Sequence, residues 1–200
     1  MTSINCVAEV GAVLGESPLW DPRRGCLWWL DIKADSTISH LFRLDPDGRF
    51  TRMALSFRLT ALAPTQGDAF IACTERGFGF FDPEGARLTP WLTPAGEPHG
   101  NRFNDAKADA HGRFWAGTTD DAEQVARGAL YRLDPGGQVT RIDEGLQVPN
   151  GPTFDSAGRM YVADSARRQI HRYPADAQDG RDRTLFAAFR EDQGPQEVAP

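Results

Sequence analysis

Residues 100–105 read Gly-Asn-Arg-Phe-Asn-Asp, which sets two carboxamides, a guanidinium and a carboxylate around one aromatic ring. Arg102 offers a planar fork that matches carboxylates and sugar oxygens. The Asn104 carbonyl is a neutral ligand for a hard cation. The plainer alternative is a turn in which Asn and Asp side chains bond their own backbone. Two other short polar runs open strand-like segments: Gly15-Glu16-Ser17-Pro18 and Val148-Pro149-Asn150-Gly151. Glu is a poor turn former, so Glu16 fits a turn-only explanation least well.

Elements that could bring such residues together come from a repeat. Four segments share an apolar strand, a polar residue, a tight turn with Gly and a second, very apolar strand. Their turn glycines are Gly25, Gly67, Gly112 and Gly158, spaced by 42, 45 and 46 residues. A second hairpin follows in three of them, at Asp45-Pro46-Asp47-Gly48, Asp82-Pro83-Glu84-Gly85 and Asp134-Pro135-Gly136-Gly137. Pro presets φ early in such a turn and Gly supplies positive φ later. Two hairpins per unit of about 45 residues make four strands, the spacing of propeller blades. The fourth unit is looser, with Tyr173-Pro174-Ala175-Asp176 and Gly180 in place of the sharp turn. The expected fold is therefore all-β, a propeller of four-stranded antiparallel blades, about four of them. The run 120–127 reads as a polar loop over the site, although one or two helical turns would also suit it.

Equivalent positions of successive blades converge on a propeller's axis. Glu16, Asn104 and Asn150 read as holding one phase in three repeats, so three oxygen donors are expected to face one point, as a hard-cation site requires. An oxygen-rich site of this kind takes calcium, magnesium or manganese, and zinc is also compatible.

Composition narrows the classes. Formal net charge is -6 and the basic residues are scattered, so there is no basic stripe for a phosphate backbone and nucleic acid is not an expected partner. The longest apolar run, residues 26–30, is far too short to span a bilayer. Residues 1–6 carry no basic residue and no apolar segment, so no secretory signal is read there. Cys6, Cys26 and Cys73 show no metal-ligand spacing. Cys26 and Cys73 are expected to be buried thiols, and a reducing cytoplasm is the expected compartment.

The segments 15–21 (GESPLWD), 28–32 (WWLDI), 101–118 (NRFNDAKADAHGRFWAGT), 128–134 (GALYRLD) and 148–155 (VPNGPTFD) resemble the senescence marker protein, gluconolactonase and regucalcin family of six-bladed propellers. The resemblance implies a metal-dependent hydrolase that opens sugar-acid lactones, with calcium the first expectation for the cation. It places Glu16 and Asn150 as metal ligands, and Arg102 and Asn104 as residues that orient the substrate. It also places an acidic residue after the AGT motif; Asp121 is the best match, with Glu123 the alternative. The family's third ligand, a catalytic Asp in Pro-Asp-Gly expected soon after residue 189, has no counterpart here, so the catalytic residue stays unassigned. Asp164 is the fallback source of charge. A six-bladed ring needs about 270–290 residues at this repeat length, so about two blades are expected to be missing. Residues 1–190 read as an incomplete propeller and 191–200 as a divergent, disordered tail, consistent from about Gly194 with a changed reading frame. A non-catalytic propeller that binds a cation or a protein is the alternative function.

Overall fold

The computed structural model describes residues 4–33 and 38–190. It contains sixteen β-strands and two short 3₁₀ turns, with no α-helix among the described residues. The chain divides into two compact units, residues 1–91 and 92–200. Each unit holds two four-stranded antiparallel meanders, the blade unit of a β-propeller.

In the first unit, one blade comprises β1 (Gly15–Asp21), β2 (Cys26–Asp31), β3 (His40–Leu44) and β4 (Phe50–Ala54). The other comprises β5 (Leu59–Pro64), β6 (Phe70–Thr74), β7 (Phe78–Asp82) and β8 (Arg87–Leu92). Their facing surfaces bury Cys26, Trp28 and Leu30 of β2 against Leu59, Leu62, Phe70, Ala72 and Phe81. Cys26 and Cys73 are fully buried, as expected, and Cys6 is exposed.

In the second unit, one blade comprises β9 (Asn101–Ala108), β10 (Phe114–Asp120), β11 (Gly128–Leu133) and β12 (Val139–Leu146). The other comprises β13 (Pro149–Phe154), β14 (Met160–Asp164), β15 (Gln169–Tyr173) and β16 (Thr184–Ala188). Trp115, Leu130, Ile142, Met160, Val162 and Tyr173 form their shared core. Arg113 and Arg132 lie over the Trp115 ring, at 5.3 and 5.7 Å from its centroid. This is how charged stems cover an apolar core edge.

The turns follow the chemistry read from the sequence, with two substitutions. Gly25, Gly48, Gly112, Gly137 and Gly158 adopt positive φ. The hairpin after β7 instead puts Ala86 at φ 49, one residue beyond Gly85. The turn at Gly67 uses a hydroxyl: Thr65 Oγ1 accepts from the Gly67 amide at 3.1 Å and donates to the Ala69 carbonyl at 2.6 Å. Residues 121–127 form a loop without helical turns. The expectations for residues 191–200, including the break near Gly194, fall outside the described residues.

The first strand of every blade carries a register break. In β1 it lies between Glu16 and Leu19, in β13 between Asn150 and Thr153 and in β9 between Phe103 and Ala106. A bulge re-aims the side chains around it, and it decides where the candidate site residues point.

Candidate functional site

Strand register assigns each candidate its station. Gly15 pairs with Asp31, and Glu16 with Leu30. Pro149 pairs with Asp164, and Asn150 with Ala163. Glu16 and Asn150 thus hold the same station, one residue inside the aspartate that ends the second strand. In the third blade Asn101 pairs with Asp120 and Arg102 with Thr119, so Arg102 holds this station. Asn104 was expected to share that phase and to precede the strand. It lies instead within β9, two residues further on, where the chain bulges.

The bulge lets two consecutive residues reach the neighbouring blade. Asn104 Nδ2 donates to the Pro149 carbonyl at 2.9 Å and to Asn150 Oδ1 at 3.0 Å. The Asp105 carboxylate accepts from the Gly151 amide at 2.9 Å and from its neighbour's amide, Ala106, at 2.8 Å. Burial pushes the Asp105 carboxyl above the ordinary carboxylate range, against the pull of those two amides. The close approach of β10 to β13 depends on Gly117, where a Cβ would meet Pro149 Cγ at 2.7 Å.

Arg102 is 3% exposed and ties the cluster together. Its Nε donates to Asp121 Oδ1 at 2.9 Å, Nη2 to Glu123 Oε1 at 2.8 Å and Nη1 to Asn104 Oδ1 at 2.7 Å, with a longer bond to the Phe103 carbonyl. Four of the five N–H groups of a guanidinium are used this way. Asn150 Nδ2 donates onward to Ser165 Oγ at 2.8 Å. A continuous hydrogen-bonded line therefore runs from Asp121 and Glu123 through Arg102 and Asn104 to Asn150 and Ser165. The loop carrying the acids is held by Asp120, which accepts from the Gln124 amide at 3.0 Å and pairs with Arg127. Those contacts hold the Asp120 carboxyl below its ordinary range, the amide first.

Among the expected site residues, Arg102, Asn104, Asp121 and Asn150 come together in the second unit. Both acids weighed for the position after AGT, Asp121 and Glu123, grip the same arginine. Glu16 belongs to the first unit, on β1. There it is followed by Ser17 at φ 54, whose Oγ accepts from the Leu62 amide at 3.2 Å. Asp164 is corrected as a source of charge. It is 0% exposed, and its two oxygens accept from the Gln147 and Val148 amides at 3.0 Å each. Asp31 does the same for Val13 and Leu14 in the first blade.

Some participants carried no sequence signal. Glu97 accepts from Asn101 Nδ2 at 2.6 Å and from the Tyr131 hydroxyl, so the approach to β9 is fastened by residues 34 positions apart. Burial, then the Glu97 carboxylate, pushes the Tyr131 hydroxyl far above its ordinary pKa. Ser165, directly after Asp164, was not singled out in the sequence either.

Among the described residues no cluster of three or more His, Cys, Asp or Glu stands ready to hold a metal. The donor set in question is of another kind, with carboxamide oxygens beside carboxylates. Asn150 Oδ1 accepts one hydrogen bond from Asn104, leaving a second lone pair, and carbonyl oxygen is what hard cations take. The donor chemistry fits calcium or magnesium better than a soft metal.

A family profile described as SMP-30/Gluconolactonase/LRE-like region matches residues 14–197. The chain belongs to this family. It is 33% identical over 199 residues to a 6-deoxy-6-sulfogluconolactonase of Pseudomonas putida, covering 96% of this chain and 66% of that protein. It is 30% identical over 185 residues to pentonolactonase XacC of Haloferax volcanii, covering 89% and 59%. The crystal structure of regucalcin from Agrobacterium tumefaciens, described as a calcium-binding protein, superposes with a TM-score of 0.79 at 28% identity, covering 90% of this chain and 61% of that one. The fold is thus the all-β propeller type, with four blades among the described residues. The chain spans 59% to 66% of the length of these curated relatives. No helix among the described residues is long and apolar enough to cross a membrane.

Proposed function

We propose that the protein hydrolyses the ring ester of a sugar-acid lactone with the help of a divalent cation, for which Asn150 is a ligand in the second unit and Glu16 the matching candidate in the first. The observation that carries this reading is the line from Asp121 and Glu123 through Arg102 and Asn104 to Asn150. It joins sugar-binding chemistry to a cation-ligating carbonyl through buried, fully oriented groups. Calcium is the first choice, with magnesium, manganese and zinc compatible with the oxygen donors.

A bound cation would polarise the lactone carbonyl and offset charge developing on its oxygen. The protein's own residues supply orientation. Asn104 holds the Asn150 carboxamide by donating to its oxygen, which turns the remaining lone pair outward. Arg102 keeps one N–H for the substrate, and its grip on Asp121 and Glu123 presents two carboxylates as acceptors for ring hydroxyls. Holding the ring in one pose is a positioning effect, and positioning alone contributes several kcal/mol to such reactions. Water adds to the carbonyl carbon, the ring C–O bond breaks and the alkoxide leaves protonated, giving the open hydroxy acid.

Relatives described as lactonases of gluconate- and pentonate-type substrates support the substrate class, and the calcium-binding regucalcin supports the cation. A reducing cytoplasm is the compartment that suits a buried thiol such as Cys26. One observation favours the second reading, a propeller that binds a cation or a protein without turnover: Arg102 is nearly saturated by its own neighbours. Acid release from δ-gluconolactone, followed with a pH indicator, separates the two. The hydrolase reading expects release above the uncatalysed rate, abolished by chelator and restored by calcium or manganese. Cation binding without acid release would leave the second reading standing.

A further inference from the structure

Asp105 is a half-buried carboxylate that the proposed reaction does not use. We infer that it is a positioning residue, which fixes the Asn150 carboxamide by clamping the next peptide unit. This rests on the assignment of Asn150 as a cation ligand.

The argument begins with the bulge in β9. Without the register break between Phe103 and Ala106, Asn104 and Asp105 would point to opposite faces. With it, both reach β13. Asn104 takes the Asn150 side chain and the Pro149 carbonyl, while Asp105 takes the Gly151 amide. Asn150 is therefore held through its side chain and through the peptide groups on both sides of it. Gly151 sits at φ 87, so the backbone leaves strand geometry directly after Asn150. Glycine has the widest choice of backbone conformations, so an external tether narrows the chain there to one of them. The Asp105 carboxylate is that tether, at 2.9 Å, and its second oxygen is anchored at 2.8 Å to the Ala106 amide. A carboxylate bonded to backbone N–H groups makes stronger, shorter bonds than a neutral acceptor.

The first unit uses the same device with different atoms. Glu16, at the equivalent station, is followed by Ser17 at φ 54 and then a proline, as Asn150 is followed by Gly151 and a proline. Ser17 is likewise bonded to the neighbouring first strand, through Leu62. Each residue assigned to the cation thus precedes a left-handed residue tethered to a neighbouring blade, the following one for Ser17 and the preceding one for Gly151. Turn formation alone does not require that coincidence.

The test is Asp105→Asn in the full chain, against Asp155→Asn as a control. Asp155 also accepts two backbone amides, from Ala157 and Arg159, but lies past the far end of β13. Asn keeps the shape of Asp and forfeits one acceptor, so the Gly151 or the Ala106 amide loses its partner. Affinity for Ca²⁺ and Mn²⁺ is read by calorimetry, and tethering by amide hydrogen exchange of the peptide around Gly151. Asp105→Asn should weaken cation affinity by about 10-fold to 100-fold, the effect of removing support from a metal ligand. It should also speed exchange at residues 150–151. Asp155→Asn should lower the melting temperature without either change. Should Asp105→Asn fail to fold, Asp105→Ser, which keeps one acceptor oxygen, takes its place with the same expectations. Faster exchange at Gly151 with unchanged cation affinity overturns the inference and leaves the cation reading intact. A wild-type chain that binds neither cation overturns the cation reading and the role of Asp105 with it.

Discussion

Gly117→Ala gives a sharp test of how the site is held. A Cβ at this position would lie 2.7 Å from Pro149 Cγ and 2.8 Å from Pro149 Cβ. Carbon atoms pack at about 3.5–4.0 Å, so roughly 1 Å is missing. The proline ring cannot rotate away, and β10 is buried along its length. Overpacking of this kind costs about 1–3 kcal/mol. The alanine recovers about 0.4–1 kcal/mol through the unfolded chain, since Gly117 is not in the left-handed region. The net is a loss of about 1–2 kcal/mol, or about 2–8 °C in Tm for a chain of this size. The same displacement stretches the Asn104 bond to the Pro149 carbonyl, now 2.9 Å, beyond hydrogen-bonding range. Lactone turnover should then fall by up to about 10²-fold, the order expected of a 1 Å misplacement. Thermal unfolding followed by circular dichroism reads the first effect and acid release the second. Gly136→Ala, with nothing within 4 Å and no positive φ, is the control and should be neutral or slightly stabilising. A Gly117→Ala protein with wild-type Tm and turnover would refute the claim that this glycine sets the spacing of β10 and β13.

Four other outcomes are expected. Arg102→Ala should reduce turnover by about 10²-fold or more with the fold retained, and Arg102→Lys should not restore it, because a point charge cannot hold Asp121, Glu123 and Asn104 together; a variant that loses Tm but keeps specific activity would make Arg102 a scaffold residue only. Tyr173→Phe should cost about 1–2 kcal/mol, since the hydroxyl donates to Asp143 Oδ2 at 2.7 Å while Arg183 keeps that carboxylate paired at 2.9 Å; urea denaturation reads it. His171 is buried, neither ring nitrogen has a hydrogen-bond partner, and burial, then the Arg183 guanidinium, hold its pKa below 6.5, with Arg167 acting likewise and Asp164 and Asp143 opposing. The unfolded chain therefore takes up the proton first, so this stability is complete above pH 6.5 and drains away below it; His171→Leu should flatten Tm against pH between 6.5 and 5. A separate acid loss should begin below about pH 3.8, as carboxylates such as Asp179, held at about 2 by Arg181, are protonated.

What the sequence made legible was local. Asp45, Asp82 and Asp134 start turns whose chemistry is complete within five residues, and strand alternation around Trp28 and Trp115 needs no knowledge of the rest of the chain. These features placed all four blades. Station within a blade was less legible, because a bulge adds a residue without changing composition. Nothing in Asn-Arg-Phe-Asn-Asp says that the chain buckles between Phe103 and Ala106, so Asn104 was put in phase with Glu16 and Asn150 when Arg102 holds that place. The partners of Asn104 and Asp105 lie 45 and 46 residues away on β13, and Tyr131 and Glu97 are 34 apart. Such pairings exist only after the blades pack. The choice between Asp121 and Glu123 was open for a related reason: one buried guanidinium accommodates both.

Each of the two cores draws on one contiguous stretch of chain, residues 26–81 for the first and 115–177 for the second. A ribosome adding about 5–20 residues per second finishes the first stretch several seconds before it starts on β14. The apolar faces of β2, β5 and β6 can therefore close on one another while β13 and β14 are still unmade. Tension on the nascent chain, read with an arrest peptide, should show a folding event before β14 is synthesised. A chain that stays slack until β16 is complete would mean that the two blade pairs form only together. Synthesis in stages would limit how long unpaired strand edges stand exposed to other chains, the chief hazard for a protein built entirely of sheets.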